Sequence, residues 1–262
     1  MTKPPGKLLP LVAALLCGAV LAQAAQPSDS PVTASSPAVR TVAAGPLSGS
    51  PIAAKPTHQR GPKRQGQTPH TKPASASGDW NLTKHGKVLY LTFDDGPHAG
   101  WTPQVLQILR RHHAQATFFV LGAEAAKRPD LVEQTRAAGH HIGNHTWDHP
   151  MLTHIPAAKM RQEIFSGVKS KCFRPPFRDT NAAVEAAAKA NHQRQVLWDV
   201  DTNDWKKPGA AAIEHAILAG AYPGAIVLMH DGGGNRAQTV AALERALTKL
   251  QHQGYKFRPL PC

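Results

Sequence analysis

The sequence predicts an α/β domain with parallel strands. β-branched or aromatic runs alternate with helical segments from Lys87 to the C-terminus, and each connection is only a few residues long. That is the pattern of β–α–β units rather than of hairpins. Apolar residues make up 41% of the 262-residue chain, enough for one substantial core.

The elements follow in order. Residues 87–93 (KVLYLTF) read as a buried strand. Pro103 can open a helix over 102–113, where Val105, Leu106, Ile108 and Leu109 recur at helical spacing. Residues 116–121 (ATFFVL) form a second strand, 129–138 a helix stopped by Gly139, and 140–143 a short strand. A helix over 156–170 leads to a strand at 172–174, ended by Pro175-Pro176. An Ala-rich helix at 181–191 precedes a strand at 195–199, and a helix at 210–219 precedes a strand at 225–229. A helix over 237–253 and a final strand at 255–257 complete the set. No period of about 20–50 residues recurs, which excludes a solenoid. The strands can close as an open doubly wound sheet or as a barrel, and in both the chemistry collects at their carboxyl ends.

The chain before this domain is of a different kind. Lys3 and Lys7 precede an apolar run, 8–21, that ends in Ala22-Gln23-Ala24. This reads as a signal peptide over 1–25, giving a protein secreted or associated with the cell wall. The run is short for the roughly 20 residues of a membrane span, so stable membrane insertion after cleavage is not expected. Leu16 stands before Cys17 where a lipobox wants a small residue, which disfavours lipidation. Residues 26–80 are rich in Pro, Ser, Ala, Thr and Gly with almost no large apolar side chain. Such a segment cannot offset its ordering entropy and is expected to be a disordered linker.

The net charge is +13, of which 81–262 holds 22 basic against 15 acidic side chains. The leader and linker therefore carry about half the excess, and an anionic cell wall is a natural partner for the basic linker. Nucleic-acid binding lacks any recognition motif or basic helix to support it. Three cysteines exclude a disulfide-stapled mini-protein and a four-cysteine zinc ribbon. After cleavage Cys172 and Cys262 remain, and export favours a bridge between them. A monomer is expected.

Five of the seven expected strands are followed by polar residues suited to chemistry. Asp94-Asp95-Gly96-Pro97 places two adjacent carboxylates at a strand end, costly unless a cation or an arginine neutralises them; a plain Asp-Gly turn is the alternative. His145 and His149, at i and i+4, can share one face of a helical turn, and with Asp95 they would form a His₂–carboxylate metal set with positions left open. Arg174 can pair with a carboxylate, and Pro175-Pro176 would fix the Phe177 N–H as an oxyanion donor. Trp205, beside Asp201 and Asp204, suits a sugar-binding wall. His230 at the next strand end can act as a general acid with a carboxylate neighbour. The Gly232-Gly233-Gly234 run lacks the spacing of a nucleotide-binding loop.

Taken together and in order, Thr92-Phe93-Asp94-Asp95-Gly96-Pro97, His145 to His149, Arg174-Pro-Pro-Phe177, Asp201 to Trp205 and Leu228-Met-His230 resemble the five motifs of the polysaccharide deacetylase (NodB-homology) domain, carbohydrate esterase family 4. The resemblance covers about residues 84–258, within the domain expected over 81–262, and nothing before. It implies a distorted (β/α) barrel of about seven parallel strands. It also implies a divalent metal, Zn²⁺ first and Co²⁺ next, and hydrolysis of acetyl groups on a polysaccharide. By position, it implies Asp94 as base, with Asp95, His145 and His149 on the metal and Arg174 pairing with Asp94. Phe177 would support the oxyanion, and Asp204 would pair with His230, the acid. Trp205 and Leu228 would shape the pocket. The lead reading is N-deacetylation of a peptidoglycan- or chitin-type polymer. An O-acetyl xylan esterase is the alternative of the same fold, and a non-catalytic cell-wall glycan-binding module the alternative outside enzymes. Arg178-Asp179 departs from the glycine and small residue common there, so Arg178 either narrows the groove or contacts an anionic substrate.

Overall fold

The structure is a computed structural model that describes Leu82 and residues 86–262. The expected leader (1–25) and linker (26–80) lie outside the described residues. Among these, no helix is long and apolar enough to cross a membrane.

All strand pairings are parallel. Strands β1 (Val88–Asp94), β2 (Ala116–Val120), β3 (His141–Asn144), β4 (Cys172–Phe173), β5 (Arg194–Gln195), β6 (Val200–Asp201) and β7 (Ile226–His230) lie side by side in the order β5-β4-β3-β2-β1-β7-β6. A short β8 (Lys256–Phe257) pairs with the start of β1. This curled row of seven, wrapped by helices, is the distorted barrel that the family resemblance implies. The helices are α1 (Thr102–Arg111), α2 (Gly122–Lys127), α3 (Pro129–Ala137), α4 (Ala157–Ser166), α5 (Ala182–Ala190), α6 (Ala210–Ala219) and α7 (Ala237–His252).

Two elements differ from expectation. The run expected as one strand at 195–199 instead leads from the last residue of β5 to the start of β6. Residues 196–199 cross from the β4 side, where Val196 N–H donates to Phe173 O (2.8 Å), to the β7 side, where Asp199 N–H donates to Ile226 O (3.0 Å). The crossing spans the gap between the two edges, so it cannot pair as one strand. Helix α2 falls between the strand expected at 116–121 and the helix expected at 129–138, where no element is expected. Its first N–H groups are instead taken by a neighbouring loop, Gly122 donating to Thr146 O (2.9 Å) and Ala123 to Trp147 O (3.0 Å).

Local signals account for most boundaries. Pro opens α1 and α3, and the Asn181 side chain caps α5 by accepting from Ala183 and Val184. The period of two then divides the strands between two environments. Leu89, Leu91 and Phe93, with Val227 and Met229, pack outward under α1, α6 and α7, meeting the stripe Leu243, Ala246, Leu247 and Leu250. Val88, Tyr90 and Ile226 face inward with Phe119, Cys172, Val196 and Leu260. Continuing inward on the same faces, Thr92 and Asp94 of β1 and Leu228 and His230 of β7 come next. The interior is therefore apolar at its base and polar at the carboxyl ends of the strands.

Cys172 on β4 is bonded to Cys262, across 90 residues, tying the C-terminal segment to the strand that precedes Arg174. Replacing both by serine is expected to lower the free energy of unfolding by about 2–4 kcal/mol, through the lost constraint on the unfolded chain. A guanidinium titration checks this; an unchanged midpoint would contradict it.

Candidate active site

Four strand ends and two loops meet at one mouth. β1 delivers Asp94, and the next residue, Asp95, turns into left-handed backbone (φ 71). In register, Asp94 stands opposite His230 of β7. β3 delivers His145, β4 delivers Arg174, and the turn after β6 delivers Asp204.

Arg174 is fully buried and makes the most contacts in the site. Its Nη1 donates to Asp94 Oδ1 and to Thr92 Oγ1, both at 2.8 Å. Nε and Nη2 donate to the Val196 and Leu197 carbonyls of the crossing segment, each at 3.2 Å. The guanidinium lies over the Phe119 ring (4.1 Å) and beside Trp198 (5.6 Å). Its own carbonyl accepts from His145 Nδ1 at 2.7 Å. That bond fixes the His145 tautomer and leaves Nε2 bare toward Asp95.

Asp95, His145 and His149 form a three-donor cluster whose ligand atoms all lie within 4.8 Å of one another. Asp95 Oδ1 is buried without a hydrogen-bond partner, 3.3 Å from His149 Nε2 and 3.5 Å from His145 Nε2. Burial raises the Asp95 pKa, but the His145 ring and the charges of His230 and His149 outweigh it and hold the carboxyl well below its usual range. Burial, with His145 beside it, pushes the His149 imidazole down to about 4. An ionised carboxylate and a neutral imidazole are the forms that bind a cation, so these residues fit a divalent metal. The two histidines do not share a helical turn, as their spacing had suggested. Residues 145–149 form a loop with left-handed backbone at Thr146 (φ 71) and His149 (φ 69), and that loop brings the rings to 5.0 Å.

On the opposite side, His230 Nδ1 pairs with Asp204 Oδ1 at 2.7 Å, while Asp204 Oδ2 accepts from His230 N–H (2.9 Å) and Thr239 Oγ1 (2.8 Å). Burial opposes protonation of His230, but Asp204, then Asp94 and Asp95, leave its pKa above the ordinary histidine value. Burial is countered likewise at Asp204, whose hydrogen bond and ion pair with His230 hold its pKa low. The sequence-predicted residues Asp94, Asp95, His145, His149, Arg174, Asp204 and His230 are thus brought together. Phe177 joins at the rim: its exposed ring packs edge-on against His149, centroids 4.4 Å apart. Trp205 is half exposed on the turn that holds Asp204, and Leu228 lies two residues before His230 on the same face of β7.

Several supports were not anticipated. Thr92 relays between Arg174 and the Val227 carbonyl, to which its hydroxyl donates at 2.7 Å. Buried Glu163 on α4 accepts from the N–H groups of Trp147 (3.2 Å) and Asp148 (3.1 Å), shaping the His145–His149 loop. Asp231 lies under the Asp95 turn and accepts from Thr102 Oγ1 at 2.5 Å. Burial, with the charges of Asp95 and Asp94, pushes it up to about 7. Gly232 permits this packing, since a Cβ there would lie 2.0 Å from Asp95 O. Close backbone approach thus explains the first of the three glycines. The one sequence signal for these supports is a polar residue inside or just after an apolar run, as at Thr92 and Asp231.

A family model described as polysaccharide deacetylase matches residues 81–196. The chain is 41% identical over 188 residues to the peptidoglycan-N-acetylglucosamine deacetylase of Bacillus cereus, a match covering 68% of this chain and 88% of that one. It is 37% identical over 201 residues to the chitooligosaccharide deacetylase of Azorhizobium caulinodans, covering 69% and 96%. Among solved structures, the peptidoglycan deacetylase PdaC from Bacillus subtilis superposes with a TM-score of 0.61 at 31% identity, covering 66% of this chain and 88% of that one. The fold, the ordered motifs at the strand ends and these matches agree: the chain belongs to the polysaccharide deacetylase family, the NodB-homology domains of carbohydrate esterase family 4.

Proposed function

We propose that this protein is a secreted, metal-dependent deacetylase that hydrolyses N-acetyl groups of a polymeric amino sugar of the peptidoglycan or chitin type. One observation carries the reading. Two consecutive aspartates have opposite surroundings: Asp94 is paired with Arg174, while Asp95 points an unpartnered oxygen at two imidazoles. One carboxylate is equipped to move a proton and the other to hold a cation.

Asp95, His145 and His149 would hold the ion, Zn²⁺ in the first instance and Co²⁺ as the alternative, since two imidazoles and one carboxylate leave positions open. When bound, such an ion polarises the acetyl carbonyl and acidifies water at neutral pH. Asp94, oriented by Arg174, takes a proton from the attacking water as its oxygen bonds to the carbonyl carbon. The Phe177 N–H, on backbone fixed by two prolines, supports the oxyanion. His230, whose pKa Asp204 raises, hands its proton to the nitrogen as the C–N bond breaks, leaving free amine and acetate. Trp205 and Leu228 line the pocket. The proposal extends to the N-terminal region: residues 1–25 direct export, and 26–80 tether the 81–262 domain to an anionic wall.

Asp94→Asn is expected to reduce acetate release from chitooligosaccharide or peptidoglycan by about 10²–10⁴-fold while zinc content after dialysis stays at that of the wild type. His149→Ala is expected to lose the zinc. Full activity in either variant would overturn the role assigned. Acetate from acetylxylan alone would favour the xylan esterase, and retained glycan and zinc binding without turnover would favour the binding module.

The acid role has a signed pH prediction. Asp204 raises the His230 pKa, and the acid must be protonated to act. Asp204→Asn should therefore move the high-pH limb of kcat/KM to lower pH. A profile that only falls in height, with its limbs in place, would count against this coupling.

A further inference from the structure

Arg178 places an unneutralised cation at the rim of the site. It follows Phe177, which touches His149, and both have left-handed backbone, φ 58 and φ 60. Glycine would be unstrained at such angles, yet the chain keeps an aromatic ring and a guanidinium there. The adjacent acid, Asp179, is already committed. Its Oδ2 accepts from Thr153 N–H (2.8 Å) and its Oδ1 from Thr153 Oγ1 (2.6 Å), with His154 Nδ1 3.7 Å away. Arg178 forms no ion pair among the described residues. Its guanidinium instead rests over Trp198 at 5.3 Å, the indole that also flanks Arg174.

A second cation repeats the arrangement across the site. Lys206 Nζ lies 4.9 Å from the centre of the exposed Trp205 ring, on the short turn Asp204–Lys206. Its neighbour Asp204 is consumed by His230 and Thr239, and Lys206 too forms no ion pair among the described residues. Each cation is thus held on an indole, one beside the Asp94–Arg174 pair and the other beside the Asp204–His230 pair.

We propose that Arg178 and Lys206 select an amino-sugar polymer that carries carboxylate groups over a neutral polymer of the same length. This rests on the deacetylase reading above and adds the charge of its substrate. A guanidinium seated on an indole keeps its N–H edge for a carboxylate. Cations of one sign around a mouth also concentrate an anionic ligand, an effect that salt removes.

The test uses a glycan oligomer with free carboxylates and the same oligomer with those groups amidated. Acetate release and equilibrium binding are measured for both, at low and high salt, on the full-length wild type and on the Arg178→Gln/Lys206→Gln variant. The wild type should favour the free-carboxylate form, and high salt should erase the preference. In the variant the ratio of kcat/KM, free to amidated, should fall about five- to tenfold. An equal ratio in the two proteins, or a preference indifferent to salt, would overturn the proposal. Should neither oligomer release acetate, the deacetylase reading fails instead, and binding still decides the selectivity. Tighter binding of the free-carboxylate form that the variant loses supports it, and equal binding of the two forms overturns it.

Discussion

The buried ion pair between Arg174 and Asp94 is the constraint on which the rest of the site depends. A guanidinium with no exposure is tolerable only where its donors find acceptors and its charge finds a partner. Here the acceptors come from β1, at Asp94 and Thr92, and from the segment that crosses between the barrel edges, at Val196 and Leu197. The backbone of the same residue reaches β3: Arg174 N–H donates to Asn144 O (2.9 Å), and Arg174 O receives His145 Nδ1 (2.7 Å). One residue therefore orients the carboxylate assigned as base, fixes the tautomer of a histidine proposed to hold the metal and fastens the closure of the barrel. Such pairs contribute little net stability, but breaking one leaves an uncompensated buried charge at a cost of about 3–5 kcal/mol. The site geometry is held by the same penalty that protects the fold.

That pair also resolves the crowding of carboxylates. Asp94, Asp95 and Asp231 lie close enough for the charges of the first two to raise the third. Arg174 compensates Asp94, and Thr102 offers its hydroxyl to Asp231. Asp95 points a buried oxygen without a hydrogen-bond partner at the two imidazoles. Its distinction from Asp94 comes from direction rather than residue type: Asp94 ends a strand and points inward, whereas the left-handed turn at Asp95 swings the next side chain toward His145 and His149.

Much of this was legible in the sequence because it depends on local order. Strand–helix alternation gave parallel strands, and parallel strands gather their ends at one face, so Asp94, His145, Arg174, Asp204 and His230 could be expected together. Features set by tertiary closure were less legible. The run at 195–199 has strand composition, yet the gap between β5 and β6 requires it to cross rather than pair. The i, i+4 spacing of His145 and His149 suggested a helical turn, but Glu163, distant in sequence, binds the loop amides and favours another path. Trp198 stood in no motif and Thr92 was given no role within its own, since the part of each is to complete the surroundings of Arg174. The pairing of Cys172 with Cys262 was readable from their even number and from the expectation of export.

The central claim is that Arg174 divides the two aspartates, one kept for proton transfer and the other for the cation. It is tested most directly by a crystal structure of the zinc-loaded protein with the ion located by anomalous scattering. The account predicts one ion on Asp95, His145 Nε2 and His149 Nε2, with Asp94 outside its ligand shell and still bonded to Arg174. An ion ligated by Asp94, or bound away from these three residues, would contradict it.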